Sequence, residues 1–414
     1  MRTLEFIREN APFLGAGLLL TFTSSFGQTF FISIFAGEIR AEFGLSHGAW
    51  GGIYAAGTLG SAVVMIWAGV LTDHYRVRVL GPVVLVGLSL ACLTMAAVPA
   101  VWALVVVIFL LRFTGQSMAS HIASVAMARW FVKTRGRALS IAGLGYSLGE
   151  AILPLGFVAL LALVGWRSLW VVAAGLTLLA VPVTIRLLRL ERTPQSVTAL
   201  SAAAGMDNRH WTRRDALHHW LFWCMVPAIL APSAFVTAFF FQQVHTAEVR
   251  GWAHVELVAL FPVFTASAVL AMVVSGWAID RWGSGLLMAV YQIFFAAGFA
   301  LAGATTSLGL AGVAMALMAL SGGMNATVPN AFWAEFYGTR HMGSIKALAM
   351  ALMVLGSAIG PALTGMLIDR GIDFPDQMGG IALVFVGICV LLLTALRRAR
   401  RHLPGAAQVD IIGA

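Results

Sequence analysis

Long apolar stretches alternate along the chain with short polar breaks, and the breaks hold nearly all of the charge. A helix that crosses a membrane needs about 20 mainly apolar residues. Twelve stretches meet that length: roughly 11–36, 48–72, 78–98, 101–128, 137–164, 167–188, 219–245, 254–279, 285–304, 307–334, 342–367 and 379–396. They are numbered here as spans 1 to 12. The first is longer than a signal-peptide core and lacks a small-x-small cleavage site, so it reads as a retained span.

Composition fixes the class. Hydrophobic residues make up 60% of the 414 positions and charged residues 10%, far less charge than a soluble domain carries. The chain reads as an all-α, polytopic membrane protein, with the lipid bilayer as its solvent. The net charge of +9 invites a nucleic-acid reading, which the placement of the charges argues against. With both termini on the inner side, 21 of the 26 Lys and Arg residues fall in inner segments, four (Arg40, Arg167, Arg250, Arg370) in outer ones, and Arg112 within the membrane. This is the positive-inside pattern. It predicts a bacterial-type inner membrane location with both termini cytoplasmic.

Polar residues 191–217, rich in Ser, Thr, Ala and Gly, read as a flexible cytoplasmic linker with a short helix near 213–218. The linker divides the chain into six spans in residues 1–190 and six in residues 218–414. The two halves repeat at an offset of 207. Gly69-Val70-Leu71-Thr72-Asp73 returns as Gly276-Trp277-Ala278-Ile279-Asp280, Gly115-Gln116 as Gly322-Gly323, and Gly149 to Pro154 as Gly356 to Pro361. A parallel repeat in an apolar chain points to two homologous bundles with a solute path between them.

The first element, Gly69-x-x-x-Asp73-His74-x-Arg76-x-Arg78, resembles the loop between helices 2 and 3 of the major facilitator superfamily. Gly276-x-x-x-Asp280-Arg281-x-Gly283 resembles its echo between helices 8 and 9, Arg112-x-x-Gly115-Gln116 the helix 4 motif, and the run to Pro154 the helix 5 motif. The resemblance implies six-plus-six architecture, alternating access and a central substrate site. Within that superfamily Arg129-Trp130-Phe131-x-x-x-Arg135-Gly136-x-Ala138 looks like the loop of monocarboxylate and oxalate/formate-type porters. The chain departs from that pattern in lacking an arginine midway along span 8 and in carrying Lys346 near the inner end of span 11.

Asp73 and Asp280, each followed by arginine (Arg76, Arg281), read as a duplicated gate latch on the inner side, with Gly69 and Gly276 allowing close helix packing. The alternative is an ordinary solvated helix end. Arg112 and Glu150 are ionisable groups inside spans, a functional hypothesis by default. Each lies 19 residues from Phe131, so they stand at one depth across the hairpin of spans 4 and 5, where an ion pair is expected. Their repeat equivalents are Ala319 and Ser357, so the fold does not need the pair as such.

Gln116 and Tyr146 lie one helical turn from Arg112 and Glu150. Gln28 ends a polar stripe with Thr21, Ser24 and Ser25, which is expected either to meet substrate or to bond neighbouring helices. In the second half Asn325 is the leading candidate, ahead of Gln242, Gln243, Gln292 and Asn330. His121 reads as a packed group. Phe31, Phe35, Trp130 and Trp333 are candidates to wall the path.

Cys92, Cys224 and Cys389 sit in apolar runs without metal or disulfide spacing. No catalytic triad, zinc motif or phosphate loop is present, so neither an enzyme nor a cofactor is expected. The reading is a monomeric secondary transporter for a small organic solute, coupled to protons, in which substrate displaces Glu150 from Arg112 and the carboxylate then takes a proton. The alternatives are a carrier of an uncharged or aromatic solute, such as a riboflavin-like vitamin or a drug, and a transporter-like sensor.

Overall fold

Among the described residues eleven helices are long and apolar enough to cross a membrane, and two helical pieces bent by 47° make a twelfth crossing if taken as one span. The structure, a computed structural model, describes residues 3–69, 71–131, 135–189, 205–338 and 341–403. No strand occurs among the described residues. The spans are His47–Ala68 (2), Val77–Ala96 (3), Arg135–Leu161 (5), Trp166–Leu187 (6), Trp220–Phe241 (7), Leu308–Tyr337 (10), Met342–Asp369 (11) and Phe374–Arg400 (12). Span 8 is His254–Val258 continued by Phe261–Trp282, and span 9 is Ser284–Val290 continued by Ile293–Ala304. Most of these begin and end within a few residues of the apolar runs.

Span 1 differs. It begins at Thr3, eight residues before the apolar run, and reaches Phe43, seven beyond it. It is also broken. Helix Thr3–Ser24 passes into a 3₁₀ turn, Ser25–Gly27, and Gln28 is extended (φ −87°, ψ 155°) before helix resumes at Thr29. Span 4 is irregular at the same depth: Val101–Leu111 and Ser120–Trp130 flank a π-helical segment, Arg112–Ala119. The two irregularities meet. A Cβ on Gly115 would lie 2.8 Å from the Gly27 Cα, and one on Gly27 would strike the Leu111 carbonyl. Only glycines allow the chains to cross here.

Two sets of loops define two ends. The Phe6 ring meets that of Phe131 between spans 4 and 5, 5.6 Å between centroids, and His402 lies 3.0 Å from Asp207. This end, called the near end, carries both ends of the described chain. At the opposite, far end Arg167 pairs with Glu42 at 2.6 Å and donates to the Ala96 and Val98 carbonyls, joining three loops of the first half. Arg250 and Trp252 join the corresponding loops of the second, through Gly303 and Thr306.

Residues 191–204 of the expected linker lie outside the described residues. The rest of it is docked, where a flexible segment was expected. Trp211 is buried against Tyr337 and His219, and the Asp207 amide donates to the His402 carbonyl at 2.7 Å. Thr212 caps the short helix Arg213–His218, and its hydroxyl and amide hold the Asp215 carboxyl below the usual carboxylate range.

Candidate substrate site

Spans 5 and 11 are repeat equivalents, and their exposure rises and falls together. On span 5 Ser140 and Gly143 are exposed, Ser147 is half-buried and Glu150 is buried. On span 11 Met350 and Met353 are exposed, Val354 is half-buried and Ser357 is buried. All eight line one cavity of about 700 Å³ between the two halves. The cavity therefore opens toward the near end and stops at the level of Glu150 and Ser357.

Beyond that level the halves are joined directly. Ser33 donates to the Phe240 carbonyl (2.7 Å), and Gln243 donates to Ser33 (2.7 Å) and to the Phe30 carbonyl (3.2 Å). At the far surface Asp369, the last residue of span 11, accepts from Ser46 Oγ (2.7 Å), His47 N (3.0 Å) and Gly48 N (2.8 Å) at the start of span 2. A carboxylate of one half thus sits on the helix N-terminus of the other, where free amides and the helix dipole favour negative charge. The His47 ring packs edge-on to that of His245, 4.5 Å away, and His245 pairs with Asp373 at 3.2 Å.

Five of the six sequence-derived binding residues line the cavity: Gln28, Arg112, Gln116, Tyr146 and Glu150. Asn325 does not. Its Oδ1 accepts from the Tyr291 hydroxyl at 2.8 Å, tying span 10 to span 9. Thr21 donates to the Ala142 carbonyl of span 5 and so joins helices, while Ser24 donates to the Thr21 carbonyl within its own helix. Phe31, Phe35, Trp130 and Trp333 are packed inside the bundles. The aromatic wall consists instead of Phe30, Tyr146, Phe240 and Phe264.

Arg112 and Glu150 are both buried, at 1% and 6% exposure, but they form no ion pair with each other. Arg112 Nη1 donates to the Gly27 carbonyl and to Thr29 Oγ1, both at 3.3 Å, and its guanidinium lies 5.2 Å from the Tyr54 ring centroid. The break in span 1 explains the change: it frees the Gly27 carbonyl from helical bonding and aims it at the guanidinium. Arg112 Nε is buried without a partner. Glu150 accepts from the Tyr146 hydroxyl (3.3 Å) and from Thr265 of span 8 (3.0 Å). The second of these bonds crosses between the halves. Sequence reasoning missed Thr29, Tyr54 and Thr265, because a lone hydroxyl in an apolar run gives no signal of what it faces. The Gly27-Gln28 dipeptide after Ser24-Ser25 was the one readable hint of the break.

The near-end gate is partly described. The side chains of Asp73 and Asp280 lie outside the described residues. Arg76 is exposed, and Arg281 lies 5.7 Å from the Trp277 ring centroid. A Cβ on Gly69 would approach His121 Nε2 to 3.6 Å, a normal contact with span 4. One on Gly276 would meet nothing within 4 Å, so the close packing expected there is absent.

Two repeat-related helical bundles around a cavity open at one end make up the architecture of a secondary transporter. The Major Facilitator Superfamily model matches residues 17–361, and the chain belongs to that family. Among solved structures, a mutant of the nucleoside transporter NupG is similar at a TM-score of 0.70 and 12% identity, over 94% of this chain and 99% of that one. A bacterial homologue of the human lysosomal transporter Spinster, inward-facing and unoccupied, is similar at 0.66 and 17% identity, over 95% and 97%. Its occupied form gives 0.65 at 17% identity, over 93% and 96%. Identities this low speak for the fold alone. No curated protein sequence matches the chain.

Proposed function

We propose that this transporter carries a small organic anion together with a proton by alternating access, as a monomer in a bacterial-type inner membrane with the near end in the cytoplasm. One observation carries the reading. Arg112 is a buried cation at the closed end of the cavity, held only by neutral acceptors, with one N–H unsatisfied. A buried charge without a counter-charge is costly, and a carboxylate arriving through the cavity supplies one.

Glu150 is assigned the proton. Two charges, Arg112 and Glu150, line the cavity, and a bound anion leaves the set one negative charge in excess. Protonation of Glu150 cancels that excess and alters its bond to Thr265, so loading reaches the contact between the halves. The duplicated Asp73 and Asp280 elements are assigned the near-end latch in the opposite state.

A second reading is favoured by the hydroxyls that line the cavity, among them Ser147, Ser233, Thr237 and Thr327. They suit a neutral, hydrogen-bonding solute, and one fold neighbour is described as a nucleoside transporter. Thermal stabilisation of the purified protein by carboxylic acids, by their amides and by nucleosides separates the two. Acids are expected to stabilise, with the effect lost in Arg112→Gln. Equal stabilisation by the amides, or by nucleosides alone, would overturn the anion assignment.

A further inference from the structure

The cavity is chemically lopsided. Among the described residues both charged groups of its lining, Arg112 and Glu150, come from the first half. The second half contributes hydroxyls, Phe240, Phe264 and the methionines Met272, Met350 and Met353, with no charged residue in the lining among the described residues. The aromatic residues form one pair on each side. Phe30 and Tyr146 pack edge-to-face at 5.6 Å and 83°, and Phe240 and Phe264 at 5.1 Å and 85°. The two pairs are tied together: the Phe240 carbonyl accepts from Ser33, one turn from Phe30, and Thr265, next to Phe264, donates to Glu150.

From this division we infer that the solute is an aromatic monocarboxylate, its carboxylate held by Arg112 of the first half and its ring held by Phe240, Phe264 and the methionines of the second. The inference rests on the anion reading above and adds the body of the molecule and its single charge. Ring faces and edges suit an aromatic guest through offset and edge-to-face contact, and thioethers add favourable contacts at ring edges. Aliphatic acids use the apolar area without that directional gain. A second carboxylate would meet hydroxyls and apolar side chains without a counter-charge, since among the described residues the second half's lining offers no cation. Lys346, on the same face of span 11, is 11 residues nearer the mouth than Ser357, about 16 Å at 1.5 Å per residue. That exceeds the length of a small diacid. The arrangement also gives each half one end of the solute, so a complete guest bridges the halves and a truncated one does not.

The test uses competition in proteoliposomes that take up radiolabelled benzoate, with thermal shift as an independent measure of binding. The probes are benzoate, phenylacetate, cyclohexanecarboxylate, lactate, terephthalate and benzamide. Benzoate and phenylacetate are expected to bind best. Cyclohexanecarboxylate is expected to be weaker by up to about tenfold, the scale of one aromatic contact. Lactate, which lacks the ring, and terephthalate, which adds an unpaired charge, are expected to be weaker still. Phe240→Leu with Phe264→Leu should remove the advantage of benzoate over cyclohexanecarboxylate. If lactate or cyclohexanecarboxylate binds as well as benzoate, or if terephthalate binds best, the aromatic monoacid assignment is overturned and the anion reading stands. If benzamide matches benzoate and Arg112→Gln changes neither, the anion reading fails as well. Retention of the benzoate advantage in the double leucine variant, with thermal shift showing it folded, would remove Phe240 and Phe264 from recognition.

Discussion

Span 5 of the first half and span 11 of the second meet their neighbours at the same repeat position. A Cβ on Gly149 would lie 2.8 Å from the Ser25 Cβ of span 1, and one on Gly356 would lie 2.6 Å from the Leu230 carbonyl of span 7. One residue further on the halves part. Glu150 faces the cavity where the second half has Ser357, and Arg112 stands where it has Ala319. Backbone follows chemistry: the first half breaks span 1 and inserts a π-helical segment in span 4, while span 10 runs unbroken from Leu308 to Tyr337. The shared positions build the scaffold, and the departures from the repeat build the site. Discontinuous helices inside a membrane occur where backbone polar groups serve a site or a cavity.

The sharpest way to break this contrast is to make the first half resemble the second. Arg112→Ala installs the residue found at position 319 and is expected to lower uptake about a hundredfold, the scale of losing a desolvated, charge-assisted contact of about 3 kcal/mol. Because Glu150 keeps Tyr146 and Thr265 as partners, the variant should unfold in detergent with a loss well below the ~3–5 kcal/mol typical of a broken buried ion pair. Wild-type uptake by Arg112→Ala would remove the charge asymmetry from the mechanism. Glu150→Gln comes next. It should abolish accumulation driven by a pH gradient while preserving exchange between solute-loaded compartments, because the amide fixes the neutral form. Proton-driven accumulation at the wild-type rate would exclude Glu150 as the proton carrier.

Much of this was legible in the sequence, for a physical reason. Span positions follow from apolar length, and the bundle pairing follows from a repeat in which Gly149 and Gly356 both stand where helices touch. Gln28, Arg112, Gln116, Tyr146 and Glu150 were found because polar groups inside spans are rare. The Arg112–Glu150 pair was expected from matching depth alone. It fails because the turn at Gly27 supplies the guanidinium with a carbonyl that an intact helix would have kept. Asn325 was chosen for its depth as well, and a partner on another span, Tyr291, decides its role. Depth is readable from a sequence, whereas azimuth around a broken helix is not.

A pair of glycine substitutions tests the same contrast at smaller scale. Gly115→Ala forces a methyl to 2.8 Å from the Gly27 Cα and should cost about 1–3 kcal/mol through overpacking at the span 1 break. Gly322→Ala, at the repeat equivalent, meets nothing within 4 Å and should change stability by no more than about 0.5 kcal/mol. Thermal unfolding of both variants in detergent reads the difference. Equal losses would mean that the crossing at Gly27 and Gly115 is not tighter than its counterpart.

The smallest effect expected is at the far end, where the halves also differ. Span 8 caps its own start, since Glu256 accepts from the Ala253 amide at 2.9 Å. The start of span 2 carries a local cap too, Ser46 Oγ accepting from the Ala49 amide at 3.1 Å, but it is capped a second time from the opposite half by Asp369, whose repeat equivalent is Ala162. The second cap of span 2 is therefore also a clasp between the halves. It forms while the cavity is open to the near end, and separation of the far ends must break it. Asp369→Asn keeps the shape and removes the charge, which should weaken the clasp by about 1 kcal/mol, the usual worth of an anion at a helix N-terminus. That shifts the balance toward the far-open state about fivefold. Single cysteines on the far-end walls, probed with a membrane-impermeant reagent from each side, would report the shift. Glu256→Gln, which removes an equivalent charge from a purely local cap, should leave that accessibility unchanged. If the two variants behave alike, the Asp369 contact is only a helix cap, and the far ends are held by other contacts such as the Ser33, Gln243 and Phe240 bonds.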